Sequence, residues 1–149
     1  MTVALPTLAI APIVDADVAD VVALWQACHL TRPWNDPAAD IALAQQGSNA
    51  TVLVGRDGAA IVATVLVGHD GHRGWVYYLA VDQTRRGKGY GRVMMDAAER
   101  WLRDHGIEKL QLLVRADNRQ VKSFYQSLGY SEQERIIFAK WLDGRAPTP

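Results

Sequence analysis

Only one cysteine, Cys28, is present, so no internal disulfide holds this fold together. Charge of either sign is not in surplus: sixteen Lys and Arg stand against sixteen Asp and Glu. That balance gives no footing for a nucleic-acid partner. No apolar run reaches the roughly 20 residues a membrane helix needs. The opening stretch MTVALPTLAIAPIV lacks the basic start of a secretory signal. Repeats, linkers and low-complexity segments are also missing. These absences point to a soluble chain in a reducing cytoplasm, with neither nucleic acid nor membrane as partner. What is present is 149 residues, 49% of them hydrophobic, enough for one domain with its own core and too few for two comfortable ones. The expectation is a single domain over 1–149, with 143–149 as a loose tail.

LAIAPI reads as a short strand. After it Val18, Val21, Val22, Trp25 and Cys28 recur at helical spacing behind Asp15 and Asp17, either of which can cap. Cys28 belongs to the core face of that helix, and nothing near it in sequence would make it a reactive thiol. HLTRPWNDP breaks the helix, and Asp36 followed by Pro37 starts a second, short one. TVLVG and AAIVATVLVG flank RDG, a hairpin signal. HDGHRG is then a polar loop and WVYYLAV the third strand of a meander, apolar on both faces and therefore central. Val93, Met94, Ala97, Ala98, Trp101 and Leu102 mark one face of a helix between Gly89 and His105, closed by Gly106. KLQLLV is another strand, RQVKSFYQSL a helix stopped by Gly129, and RIIFAKW a last strand. The class is α/β.

RRGKGYGR, residues 85 to 92, lies where a strand runs into the long helix. The first turn of a helix leaves backbone N–H groups without partners and carries about half a positive charge. Small residues there let an anion approach the main chain. Gly87, Gly89 and Gly91 give that access, and Arg85, Arg86, Lys88 and Arg92 add charge suited to a pyrophosphate or sugar phosphate. The bland alternative is a flexible turn with solvated charges. A P-loop requires Ser or Thr after the lysine, and Lys88 is followed by Gly89. A dinucleotide fingerprint requires G-x-G-x-x-G, whereas this loop reads G-x-G-x-G and no acidic residue ends KLQLLV. Neither ATP nor NAD is favoured.

RGKGYG resembles the acyl-CoA loop Q/R-x-x-G-x-G/A of the GNAT family of N-acetyltransferases, with Arg86, Gly89 and Gly91 on its fixed positions. NRQVKSFYQSLGY is similar to that family's N-x-x-A-x-x-x-Y-x-x-x-G-F segment. Asn118, Tyr125, Gly129 and Tyr130 are in register, and Val121 stands where Ala is common. RPWNDP and HDGHRG resemble small bacterial YpeA-like acetyltransferases. The resemblance implies a GNAT fold: a mixed, mostly antiparallel sheet of about six or seven strands flanked by four helices, strands four and five splaying apart at the acyl-CoA site. It implies acetyl-CoA as co-substrate and no metal. The backbone of Leu79, Ala80 and Val81 would hold the pantetheine arm, and Arg86, Gly87, Lys88, Gly89, Tyr90, Gly91 and Arg92 the phosphates. Asn118 would also contact acetyl-CoA, and Tyr125 would be the general acid for the departing thiolate.

The chain departs from its family at the base. Relatives carry Glu on the fourth or fifth strand, where this sequence has Tyr77 and Leu113. That leaves Asp36, Asp70 and His72, in loops bordering the acceptor side, or an ordered water. Trp34, Asp36 and Tyr77 suggest an aromatic acceptor cleft tolerant of a cation, while Arg32 and Arg73 would equally suit a carboxylate near the amine. The leading expectation is an acyltransferase acetylating a primary amine, on a small molecule or a protein terminus, by direct attack in a ternary complex. A non-catalytic acyl-CoA binding or sensing domain is the alternative, and a nucleic-acid or structural role for the basic loop is the weakest. A monomer and a homodimer are equally compatible with the sequence.

Overall fold

The computed structural model describes residues 7–149. Residues 1–6 lie outside the described residues, and with them the start of the segment read above for a signal and of the expected domain. The described chain divides into two compact units, the first ending at Leu112 and the second running Leu113–Pro149.

In the first unit, β1 (Ala9–Pro12) leads through a short 3₁₀ turn (Asp15–Asp17) into α1 (Val18–Ala27) and α2 (Pro37–Gln45). β2 (Ala50–Asp57), β3 (Ala60–His69) and β4 (Gly74–Val81) follow, then a second 3₁₀ turn (Gln83–Arg85), α3 (Tyr90–Asp104) and β5 (Leu110–Gln111). The sheet order is β1-β2-β3-β4-β5. The pairings from β1 to β4 are antiparallel and the β4–β5 pairing is parallel. β2 and β3 join at the RDG turn, where the sequence signal placed a hairpin. Both are rich in valine, whose branched Cβ suits a pleated, buried surface.

Alternation along β2 fixes the two layers. Val52 and Val54 point into a cluster with Val21, Leu24, Trp25, Ile41 and Ala44 of α1 and α2. Gly55, one residue on, faces Met94 of α3 instead. α3 buries Tyr90, Met94, Met95, Ala97, Ala98 and Leu102. Its end is closed by Gly106 N donating to the Arg103 carbonyl and Ile107 N to that of Leu102, each at 3.0 Å. Among the described residues no helix is long and apolar enough to cross a membrane.

Three expectations are corrected. Asp17 does not cap α1 with its side chain. Its carboxylate sits in the preceding 3₁₀ turn, pairs with Arg56 of β2 and accepts from Val14 N at 3.2 Å. KLQLLV forms only two residues of strand, because β5 meets β4 at Gly74–Leu110 and Trp75–Gln111 and nowhere else. RIIFAKW makes no strand: Ile136 and Phe138 are 84% and 93% exposed. β-branched and aromatic residues favour a strand only where a neighbouring edge receives it. The sheet among the described residues therefore has five strands, fewer than expected, while the mixed, mostly antiparallel layout and the four helices hold.

The second unit carries α4 (Arg119–Ser127). Asn118 caps it, its Oδ1 accepting from Val121 N at 3.2 Å. Gly129 N donates to the Gln126 carbonyl and Tyr130 N to that of Tyr125, which ends the helix. In the tail the Arg145 guanidinium lies 3.9 Å over the Trp141 ring and pairs with Asp143.

Candidate functional site

β4, the loop after it and the start of α3 form one continuous feature of the first unit. Beyond Val81, Asp82 turns the chain by accepting from Thr84 N at 2.9 Å and Thr84 Oγ1 at 2.8 Å, which keeps its carboxyl below the usual range. Arg85, expected among the phosphate-facing cations, instead pairs with Asp57 at the β2–β3 turn. The loop is thereby tied to the hairpin and loses one positive charge to an internal partner. Arg86, Lys88 and Arg92 make no ion pair among the described residues.

Gly87 and Gly89 have φ of 79° and 83°, left-handed values that glycine adopts without a Cβ clash. Gly89 is the N-cap of α3, which has no side-chain cap and no acidic residue in its first turn. The first helical bond runs from Val93 N to the Gly89 carbonyl at 3.1 Å. The N–H groups of Tyr90, Gly91 and Arg92 thus precede the helix's own ladder. The Tyr90 side chain is buried and anchors that end. Such a start offers an anion a cradle of main-chain donors, with Arg86, Lys88 and Arg92 beside it in sequence.

The second component is the edge of β4. Its ladder with β3 runs to Val81–Ala63, but the register shifts between Thr64 and Leu66. Tyr78 and Leu79 face Val65 alone, and Tyr78 takes a φ of 52°. This is a β-bulge. With β5 pairing only at Gly74 and Trp75, the edge of β4 from Val76 to Val81 that faces away from β3 pairs with no strand among the described residues. The fourth and fifth strands thus part after Trp75, as expected. The Cys28 thiol donates to the Val81 carbonyl at 3.3 Å, which accounts for this half-buried cysteine.

A group the sequence did not flag surrounds the bulge. The Tyr78 hydroxyl donates to Asp40 Oδ2 at 2.6 Å. The Tyr78 ring stacks on Trp25 at 3.8 Å and 4°. Its carbonyl accepts from Thr64 Oγ1 at 3.0 Å, and that oxygen accepts from Trp25 Nε1 at 2.8 Å. Burial and the adjacent Asp40 carboxylate push the phenol well above its ordinary value. No local signal could have found this: Asp40 and Tyr78 stand far apart in the chain, and an aspartate inside a short helix reads as surface.

The acceptor and base candidates occupy two connections. Trp34, half-buried, and Asp36 lie ahead of α2, where Asp36 Oδ1 caps the helix by accepting from Ala39 N at 3.1 Å. Arg32 is turned back onto the His29 and Thr31 carbonyls at 2.8 and 3.0 Å. In the β3–β4 turn, Asp70 accepts from His72 N, Arg73 N and Trp75 Nε1 at 2.9, 2.8 and 3.2 Å. Those three donors pull its carboxyl down to about 2, so it is ionised at any working pH. His72 is exposed in the same turn. Tyr77, 48% exposed on β4, has its phenol raised by partial burial. In the second unit the cap uses Asn118 Oδ1 and leaves its amide N–H groups free of that role. Tyr125 packs edge-on to Phe124 and Tyr130, with centroids 5.0 and 5.8 Å away, and burial pushes its phenol up to about 12. No group of three or more His, Cys, Asp or Glu able to hold a metal occurs among the described residues.

The family model described as "Acetyltransferase (GNAT) family" matches residues 18–130. An acetyltransferase of Yersinia enterocolitica is 39% identical over 128 residues, 86% of this chain and 91% of that protein. An acetyltransferase of Yersinia pseudotuberculosis is 39% identical over 126 residues, 85% of this chain and 89% of its own. Among solved structures, an aminoglycoside N-acetyltransferase in complex with CoA superposes with a TM-score of 0.78 at 16% identity, covering 91% of this chain and 95% of that one. The ribosomal-protein alanine N-acetyltransferase of Escherichia coli gives 0.74 at 24% identity, covering 93% and 88%. At such identities these two speak for the fold.

Proposed function

The chain belongs to the GNAT acetyltransferase family, and from that premise we propose that it is a cytoplasmic enzyme that transfers the acetyl group of acetyl-CoA to a primary amine by direct attack in a ternary complex. The carrying observation is the start of α3, where two left-handed glycines present an uncapped helix N-terminus to solvent. Such an end attracts a phosphate chain. The residues fit CoA: main-chain donors at Tyr90, Gly91 and Arg92 with Arg86 and Lys88 for the phosphates, and Leu79, Ala80 and Val81, which β5 does not reach, for an extended amide-bearing arm.

Acetyl-CoA supplies an acetyl group activated as a thioester. In the reaction a bond forms from the amine nitrogen to the acetyl carbon, the carbon–sulfur bond breaks, and the thiolate takes a proton. Tyr125 is the proposed donor of that proton, and Asn118 a further CoA contact, both carried over from the family's segment. The base is not a strand carboxylate, since Tyr77 and Leu113 occupy those positions. Asp70, ionised and held by three donors, is a structural residue of its turn. The amine therefore gives up its proton to solvent or ordered water, with His72 and Asp36 as the remaining side-chain routes. Trp34, Asp36 and Tyr77 border the acceptor. The neighbours' acceptors, an aminoglycoside and a protein alanine, support an amine as acceptor class.

The missing glutamate favours one second reading, an acyl-CoA sensor without turnover. Thiol release from acetyl-CoA across a panel of amines and peptide N-termini separates the two: an enzyme turns over with some amine, a sensor with none. The site itself is tested by Gly89→Asp, which places bulk and negative charge in the cradle. Calorimetry should find acetyl-CoA binding abolished in a variant that keeps its circular dichroism spectrum; unchanged binding would remove the loop from the site.

A further inference from the structure

A non-glycine residue at a positive φ is held there by its surroundings or not at all. Tyr78 is such a residue, at 52° in the bulge of β4, and every polar atom of its side chain and carbonyl is engaged. α2 grips the hydroxyl through Asp40, α1 covers the ring with Trp25, and β3 holds the carbonyl through Thr64, itself fixed by Trp25. Three elements thus converge on one residue, and it lies next to Leu79, Ala80 and Val81, beyond the reach of the β5 ladder.

We propose that Asp40, Tyr78, Thr64 and Trp25 form a positioning network that locks the β4 bulge, so that the stretch that follows it, Leu79 to Val81, is held in place for the pantetheine arm of CoA. None of the four is assigned a contact with the acyl group: they act through the backbone of β4. The proposal rests on the acyl-CoA reading of this same site. Its distinctive consequence is selective. Loosening the bulge weakens what binds along β4 and spares what binds at the α3 cradle, which is built from other residues.

The test measures binding of two probes to the full chain by calorimetry: CoA, and the pantetheine-free nucleotide half of CoA. Tyr78→Phe keeps the ring on Trp25 and removes only the bond to Asp40. CoA affinity should fall about tenfold, the scale of one hydrogen bond to a charged group, while the nucleotide half binds as in the unaltered chain. Asp40→Ala should match Tyr78→Phe, and the double variant should be no worse than either, because both remove the same bond. Asp40→Asn, which still offers an oxygen to the phenol, should restore most of the affinity. Equal weakening of both probes, additive losses, or no loss of CoA binding would overturn the positioning role alone. An unaltered chain that binds neither probe would overturn the acyl-CoA reading and the proposal with it.

Discussion

Tyr125 is a phenol whose proton is held more tightly than in water. Burial raises it to about 12 from an ordinary value near 10. A proton donor must be protonated at the start of each turnover, so in its proposed role this group stays competent throughout the working range. Turnover of the unaltered chain should not decline between pH 8 and about 10 on account of Tyr125. Tyr125→Phe should lower turnover by roughly 10² to 10⁴, the usual worth of a positioned proton donor, with acetyl-CoA affinity little changed. Steady-state rates across that pH range check both statements, and a rate equal to the unaltered chain's would end the role. Tyr125 could be singled out from the sequence for this proposed role because its spacing from Asn118 is local. Asp40 and Tyr78 were not, because what joins them is the packing of α2 on β4. Asp70 was legible as a loop residue, but the three donors that hold it became visible only with the turn folded.

Among the elements, β4 and α3 approach closely at Gly74. A Cβ placed there would stand 2.4 and 2.7 Å from the two Cδ atoms of Leu102. Leu102 is 2% exposed and has nowhere to retreat. Gly74→Ala should therefore cost about 1–3 kcal/mol, as overpacking does, and should also disturb the Gly74–Leu110 pair at the root of the splay. Urea unfolding measures the loss; an unchanged midpoint would mean that α3 shifts freely on the sheet. The elements with their own punctuation were readable: RDG for the hairpin, Asp36-Pro37 for α2, Gly106 and Gly129 for two helix ends. RIIFAKW has strand composition but no partner edge in its own unit, and composition carries no information about partners.

At the scale of the whole molecule, titration brackets the stability. Tyr77, Tyr78 and Tyr125 all have raised phenols. The fold therefore keeps protons that the unfolded chain gives up near pH 10, and stability falls as pH rises from there through the folded values. Asp70, Asp82 and Asp143 are lowered. Their contribution is present above the unfolded value near 4 and is lost as pH falls below it. Between these limits these six groups leave stability flat. Thermal unfolding from pH 3 to 11 should show a plateau with a fall at each end, and Tyr78→Phe should soften the alkaline one. A steady slope through neutrality would show that other groups dominate.

The two-residue grip of β5 also sets a clock. β2, β3 and β4 are joined by short turns and long ladders, whereas β5 returns across the whole of α3 to meet β4 at Gly74 and Trp75. Few bonds must break to release it. It is the part of the sheet that opens at the lowest free energy, and closing so long a crossover makes it the last to arrive. In deuterated buffer, the amides of Gly74 and of Leu110–Gln111 will exchange while those of β2 and β3 are still protected, so the strand with the shortest ladder is also the one that keeps least memory of the fold.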